Sequence, residues 1–107
     1  MPRPTKCRMV CQFPQTLEFV PSEGGGGSPV ALTIDEYEAV RLIDKEGLSQ
    51  EQCSQRMQVA RTTVQKIYDS ARKKLAEALV EGRPLRIGGG EFQLCSGANR
   101  LCGITNC

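Results

Sequence analysis

Ser49 to Leu75 reads SQEQCSQRMQVARTTVQKIYDSARKKL, and two helix starts fall inside it. Ser49 with Gln52 three residues on is a capping box: the hydroxyl accepts a backbone N–H and the amide side chain reaches back. Cys53, Met57 and Val59 then face inward, which predicts a short helix over Gln50 to Met57. After the turn Gln58-Val59-Ala60, the residues Val64, Ile67, Tyr68, Ala71, Leu75, Ala78 and Leu79 follow helical spacing. They predict a long helix from Arg61 to Glu81, ended by Gly82 with Pro84 just beyond. A short helix joined tightly to a long one with a basic outer side is the arrangement of a helix-turn-helix.

Upstream, Thr33-Ile34-Asp35-Glu36 is another capping box, and Tyr37, Val40 and Ile43 carry the apolar stripe onward. This first helix should reach about Glu46, where Gly47 can take the left-handed stop. Asp35, Glu36 and Glu38 read as surface acids that complement the helix dipole. The flanks differ. Pro2, Pro4, Pro14 and Pro21 forbid a long helix in residues 1–28. Thr16 to Val20 suits a short strand, and Gly24 to Ser28 (GGGGS) is a flexible linker by composition. Pro84 to Leu94 reads as strand, glycine turn, strand, with Gly88-Gly89-Gly90 closing a hairpin. The expected fold is mainly α: a three-helix unit over residues 29–83, an irregular segment over 1–28, and a β-hairpin with an irregular tail over 84–107.

Composition narrows the function. The chain has 107 residues, 39% hydrophobic and 5% aromatic, so its core is modest and aliphatic. Histidine is absent, which removes the commonest general base and every Ser-His or Cys-His nucleophile pair. The glycine run lacks the Lys-Ser/Thr of a phosphate loop. No enzyme is expected. No run of about 18 apolar residues is present and no apolar signal core opens the chain, so a cytoplasmic protein without membrane contact is expected.

The net charge of +2 conceals a separation. Leu32 to Gln52 sets Asp35, Glu36, Glu38, Asp44, Glu46 and Glu51 against Arg41 and Lys45 alone. Arg61 to Arg86 sets seven cations against Asp69, Glu77 and Glu81. A basic side on a nearly neutral protein suits a polyanion. Arg61, Thr62, Gln65 and Lys66 lie off the apolar stripe near the start of the long helix. They are the candidate groove readers, since Arg pairs with guanine and Gln with adenine through two coplanar bonds. Arg56, Thr63, Arg72, Lys73 and Lys74 are candidates for phosphate contacts. The expected partner is double-stranded DNA. A homodimer would set two reading helices about 34 Å apart. A solvated basic face, or a module gripping RNA polymerase or another regulator without DNA, is the alternative.

Six cysteines remain. Cys53 falls on the inner side of the short helix and packs as a small hydrophobe. Cys7, Cys11, Cys95, Cys102 and Cys107 lie outside the helices. Thiolates alone can hold zinc or an iron–sulfur cluster, and such a site would staple the two flanks. Redox sensing without metal, or no role, fits the same spacings.

Residues 32–36, 38–42, 46–51 and 71–75 together resemble region four of sigma factors. The opening Pro2-Arg3-Pro4 and Lys6-Cys7-Arg8, with Val10-Cys11 and the stretch from Ala76 through Gly90, resemble a small prokaryotic family of unknown function, labelled predicted DNA-binding proteins. The resemblance covers about residues 1–94 and implies a sigma-like helix-turn-helix with a role in transcriptional regulation. It also implies that Cys7 and Cys11 are a recurring pair. Two positions depart from the family. Related sequences usually cap the reading helix with Ser or Thr where Ala60 stands, and carry a longer, less glycine-rich stretch in place of GGGGS.

Overall fold

The computed structural model describes residues 8–24 and 27–94. Three helices and several two- or three-residue strands follow in the order β1 (Met9–Val10), β2 (Glu18–Phe19), β3 (Val30–Leu32), α1 (Ile34–Val40), α2 (Gln50–Met57), α3 (Arg61–Glu81), β4 (Leu85–Ile87) and β5 (Gln93–Leu94). The radius of gyration is 14.5 Å.

The capping boxes at Thr33 and Ser49 both form, each with its two reciprocal bonds. They satisfy backbone donors that a helix start otherwise leaves orphaned. α1 does not run uniformly to Glu46. From Arg41 to Lys45 it widens into a π-helical turn, closed by the Glu46 N–H on the Arg41 carbonyl at 2.9 Å. Gly47 then takes φ +80°. The long helix ends at Gly82, at φ +65°.

Two apolar clusters divide the interior. One joins the sheet to α1 and the middle of α3, through Val10, Val30, Leu32, Ile34, Ala71, Leu85 and Ile87. The other lies between the π-helical turn, α2 and the start of α3, through Ala39, Leu42, Cys53, Met57, Val59, Val64 and Ile67. Side chains such as Leu42, Met57 and Val64 are wholly enclosed, each contributing about 1.5–3 kcal/mol by leaving water. α3 therefore serves both clusters, its first turns against α2 and its middle against the sheet. Leu79, expected on the apolar stripe, is instead 83% exposed, about 100° round the helix from Ala78, which packs on the first cluster.

The expected hairpin does not form. β4 lies between β2 (antiparallel, Phe19 opposite Leu85) and β3 (parallel, Leu32 opposite Ile87), while β5 pairs in parallel with β1, Val10 beside Leu94. The glycine run has another use: it crosses the start of α1. Gly88 donates to the Leu32 carbonyl, and the Ile34 N–H reaches Gly89. A Cβ on Gly90, at φ +88°, would stand 2.6 Å from Asp35 Oδ1 and 2.7 Å from Thr33 Cβ. The N-terminal segment is likewise more than irregular, since Met9 and Val10 are buried and β2 occupies the expected strand.

The acids of α1 are not surface groups. Asp35, Glu36 and Glu38 are all buried, Glu38 completely. Arg8 reaches Asp35 at 2.6 Å, and the Cys11 N–H donates to Glu38 at 2.9 Å. The segment before β2 thus folds over α1 and encloses what a lone helix would leave in water.

Candidate nucleic-acid interface

α2 closes on Gln58, which holds the left-handed conformation at φ 59°. This single residue reverses the chain without glycine, and buried Val59 anchors the turn. The Val59 N–H bonds the Ser54 carbonyl at 3.1 Å. Ala60 then opens α3 from an extended conformation, with no side chain capping the helix. No acid lies in the first turn either. The positive end of a 21-residue helix therefore faces outward with its first N–H groups unsatisfied by any cap.

Helical rotation of about 100° per residue fixes what surrounds that end. Val64, Ile67 and Ala71 point inward. Arg61, Thr62, Gln65, Lys66, Asp69 and Lys73 are exposed on the outer side, Thr63 is half-buried at its margin, and Arg56 is exposed in the last turn of α2. On α3 the rotation sets Arg61, Thr62, Gln65, Lys66 and Lys73 on one exposed side of the helix.

Arg72 and Lys74 differ from them in holding acids. Arg72 donates to the Tyr68 hydroxyl at 2.6 Å, lies over its ring, and reaches Asp44 at 3.5 Å. Tyr68 in turn donates to Asp44 at 2.7 Å. The Asp44 carboxylate, which accepts that proton, and partial burial hold the phenol above its ordinary pKa; Arg72 opposes them. On the other side of α3, Lys74 and Ser70 both reach Glu36, at 2.8 and 2.6 Å. Burial pushes the Glu36 carboxyl up, but the bonds from Lys74, Ser70 and the Thr33 backbone outweigh it and leave the pKa lowered. Two tethers, Asp44–Tyr68–Arg72 and Glu36–Ser70–Lys74, therefore hold α3 at a set rotation against α1 and its π-helical turn.

These tethers were not legible in the sequence, because Asp44 and Tyr68 lie 24 residues apart. One buried contact did leave a signal. Glu38 and Arg41 are three apart with opposite charge, the spacing of neighbours on a helix face.

The cations now sort into two groups. Arg8, Arg41, Arg72, Lys74, Arg83 and Arg86 each hold a carboxylate. Among the described residues, Arg56, Arg61, Lys66 and Lys73 hold none, and all four lie on the outer surface of α2 and α3. Lys45, on the π-helical turn, is the other cation left without an acid there.

The cysteine expectation is mostly beyond view: Cys7, Cys95, Cys102 and Cys107 lie outside the described residues. Cys11 is half-buried. Cys53 is buried in the second cluster, 3.7 Å from the Met57 sulfur, and burial with the nearby Glu38 pushes its thiol up to about 11. Among the described residues no group of three or more acids or cysteines is placed to hold a metal. None of their helices is long and apolar enough to cross a membrane.

The sequence pattern of a family described as "Protein of unknown function DUF134" matches residues 1–95. A UPF0251 protein of Desulfitobacterium hafniense (strain Y51) is 54% identical over 105 residues, covering 96% of this chain and 84% of its own. One from Caldicellulosiruptor saccharolyticus is 51% identical over 92 residues, covering 86% and 66%. One from Clostridium botulinum (strain Hall) is 48% identical over 103 residues, covering 89% and 63%. No solved structure matches the chain.

Proposed function

The chain belongs to the DUF134 family, and from that footing we propose that it is a sequence-specific DNA-binding protein acting in transcriptional regulation. α2 and α3 serve as a sigma-like helix-turn-helix in this reading. α2 crosses the backbone and the start of α3 enters the major groove. Arg61, Thr62, Gln65 and Lys66 meet base edges, while Arg56, Thr63 and Lys73 meet phosphates. Arg72 and Lys74 act mainly through their tethers, fixing the angle at which α3 is presented.

The single observation that carries this reading is the sorting of the cations. Those elsewhere are mostly neutralised within the fold, whereas Arg56 on α2 and Arg61, Lys66 and Lys73 on α3 stay exposed and without an acid among the described residues, with Arg61 at an uncapped helix start. Open cations around a positive helix end favour a phosphate-bearing ligand.

Fluorescence anisotropy of a mixed-sequence duplex, titrated with salt under reducing conditions, tests it. Binding should weaken linearly in log salt, with a slope of about −0.9 per phosphate neutralised. Absence of binding by folded protein at low salt overturns the reading. The alternative, a module that grips another protein, draws on the exposed Phe19, Val20, Leu79 and Val80. Patches of this kind mark protein contacts, and that reading predicts no salt-dependent DNA binding.

A further inference from the structure

We propose that the groove between the sheet and α1 is a binding site for a small molecule with an apolar body and a single carboxylate. The hollow measures about 470 Å³, within the range of roughly 300–1,000 Å³ typical of small-molecule sites. Its walls are Phe19, Leu32, Tyr37, Val40 and Leu75, and Leu85 and Ile87 close it beneath. The lining is apolar everywhere except one edge. Apolar surface left open to water at this scale is unfavourable until something covers it.

The polar edge selects the occupant. It is built by the π-helical turn, which brings Arg41, Asp44 and Lys45 to the mouth. Such turns recur at functional sites because the extra residue displaces side chains from the regular helical positions. Arg41 is held by Glu38 and Glu46, and Asp44 by Tyr68 and Arg72. Lys45 is exposed and has no hydrogen bond or ion pair among the described residues. The mouth therefore offers one open positive charge beside an apolar floor, the complement of an amphipathic monocarboxylate.

This site does not depend on the DNA-binding proposal. Leu75 points inward from α3, away from the outer side that carries Gln65 and Lys66. The two surfaces nonetheless share a part. Asp44, adjacent to Lys45 and on the same rim, is the acceptor of the Tyr68 hydroxyl, so the rim and one tether of α3 have a residue in common.

The probes are octanoate below its micelle threshold and octanol as its uncharged counterpart, added to the full chain and followed by amide NMR shifts. Octanoate should shift Tyr37, Val40, Lys45 and Leu75 together. Lys45→Met should weaken octanoate by up to about fivefold, the factor expected of one partly exposed ion pair, and leave octanol unchanged, whereas Val40→Trp, which fills the hollow, should abolish both. Shifts that are absent or scattered at millimolar octanoate overturn the proposal, as does a ratio of the two probes that Lys45→Met leaves unchanged. Groove shifts that instead follow protein concentration, with a dimer in sedimentation, assign the hollow to a second copy and also overturn it. If Val40→Trp fails to fold, the ratio of the two probes on Lys45→Met still decides.

Discussion

Glu38 and Arg41 form a two-pronged ion pair in the interior: the carboxylate is wholly buried and takes the guanidinium Nε at 2.9 Å and Nη2 at 2.8 Å. It also accepts the Cys11 N–H. The pair thus fastens three things at once: the end of α1, the π-helical turn and the strand that folds over them. The Glu38 bonds hold the Arg41 guanidinium above its ordinary pKa, outweighing burial.

Removing Glu38 takes the buried acceptor from both Arg41 and the Cys11 N–H, and removing Arg41 leaves the Glu38 carboxylate a stranded buried charge. Glu38→Ala is expected to lose about 3–5 kcal/mol of unfolding free energy, and Arg41→Ala a comparable amount. The double variant should lose less than the sum, since neither charge is then stranded. Urea denaturation of the three variants measures this. A Glu38→Ala cost below about 1 kcal/mol would refute the pairing.

Acid should release α3 from α1. The folded Glu36 carboxyl titrates below its ordinary value of 4.5. The charged form is therefore favoured by folding, and its stabilisation is complete above that value. It is lost as the pH falls through the lower folded pKa. Melting temperatures of the parent and Glu36→Gln, followed downward from about pH 6, should show the parent's advantage shrinking. An advantage that stays constant to pH 3 would contradict the tether.

Ala60 offers a separation of stability from binding. Ala60→Asp supplies the missing cap and should stabilise the protein by about 0.5–2 kcal/mol. The new negative charge sits beside Arg61, where a phosphate is expected, so DNA affinity should fall while the melting temperature rises. Anisotropy and calorimetry on the same sample check both halves. Unchanged affinity would move the phosphate away from the helix start.

At the groove, Gln65→Ala should alter preference at one base pair, by about 1–3 kcal/mol, whereas Lys73→Ala should weaken all sequences alike and lower the salt slope by about one. Selection from a randomised duplex pool, followed by salt titration, distinguishes the two patterns. A uniform loss from Gln65→Ala would remove it from base reading.

Gly90 and Gly88 make a matched pair. Gly90→Ala forces a Cβ against Asp35 and Thr33 at a positive φ, and should cost about 1–3 kcal/mol. Gly88→Ala meets nothing within 4 Å and should be nearly neutral. Equal effects in thermal melts would show that the glycine run does not cross the start of α1.

The helices were legible because their signals are local. Thr33 with Glu36, Ser49 with Gln52 and Gly82 each sit within one turn of the boundary they set. The outer placement of Arg61, Gln65 and Lys66 followed from the same rotation that buries Val64 and Ile67. The strands were not legible in this way. β4 reads as half a hairpin until Val30 and Phe19 are known to flank it, and no local pattern says so. The acids of α1 misled for a related reason. Asp35 and Glu38 suit a solvated helix face equally well, and the partners that favour their burial include Arg8 and the Cys11 backbone, each 27 residues away.

The pairing of β1 with β5 has a consequence for the order of assembly. Met9 waits for Gln93, and Leu32 for Ile87, so the ribosome has already extruded all three helices before either sheet can close. Until then Val10, Leu32 and Ile34 have no lid. Contacts this remote in sequence slow folding, and the nascent protein passes through a stage in which its helices exist beside an open, adhesive floor. A translational pause while β4 and β5 are still unmade or inside the ribosome prolongs that stage.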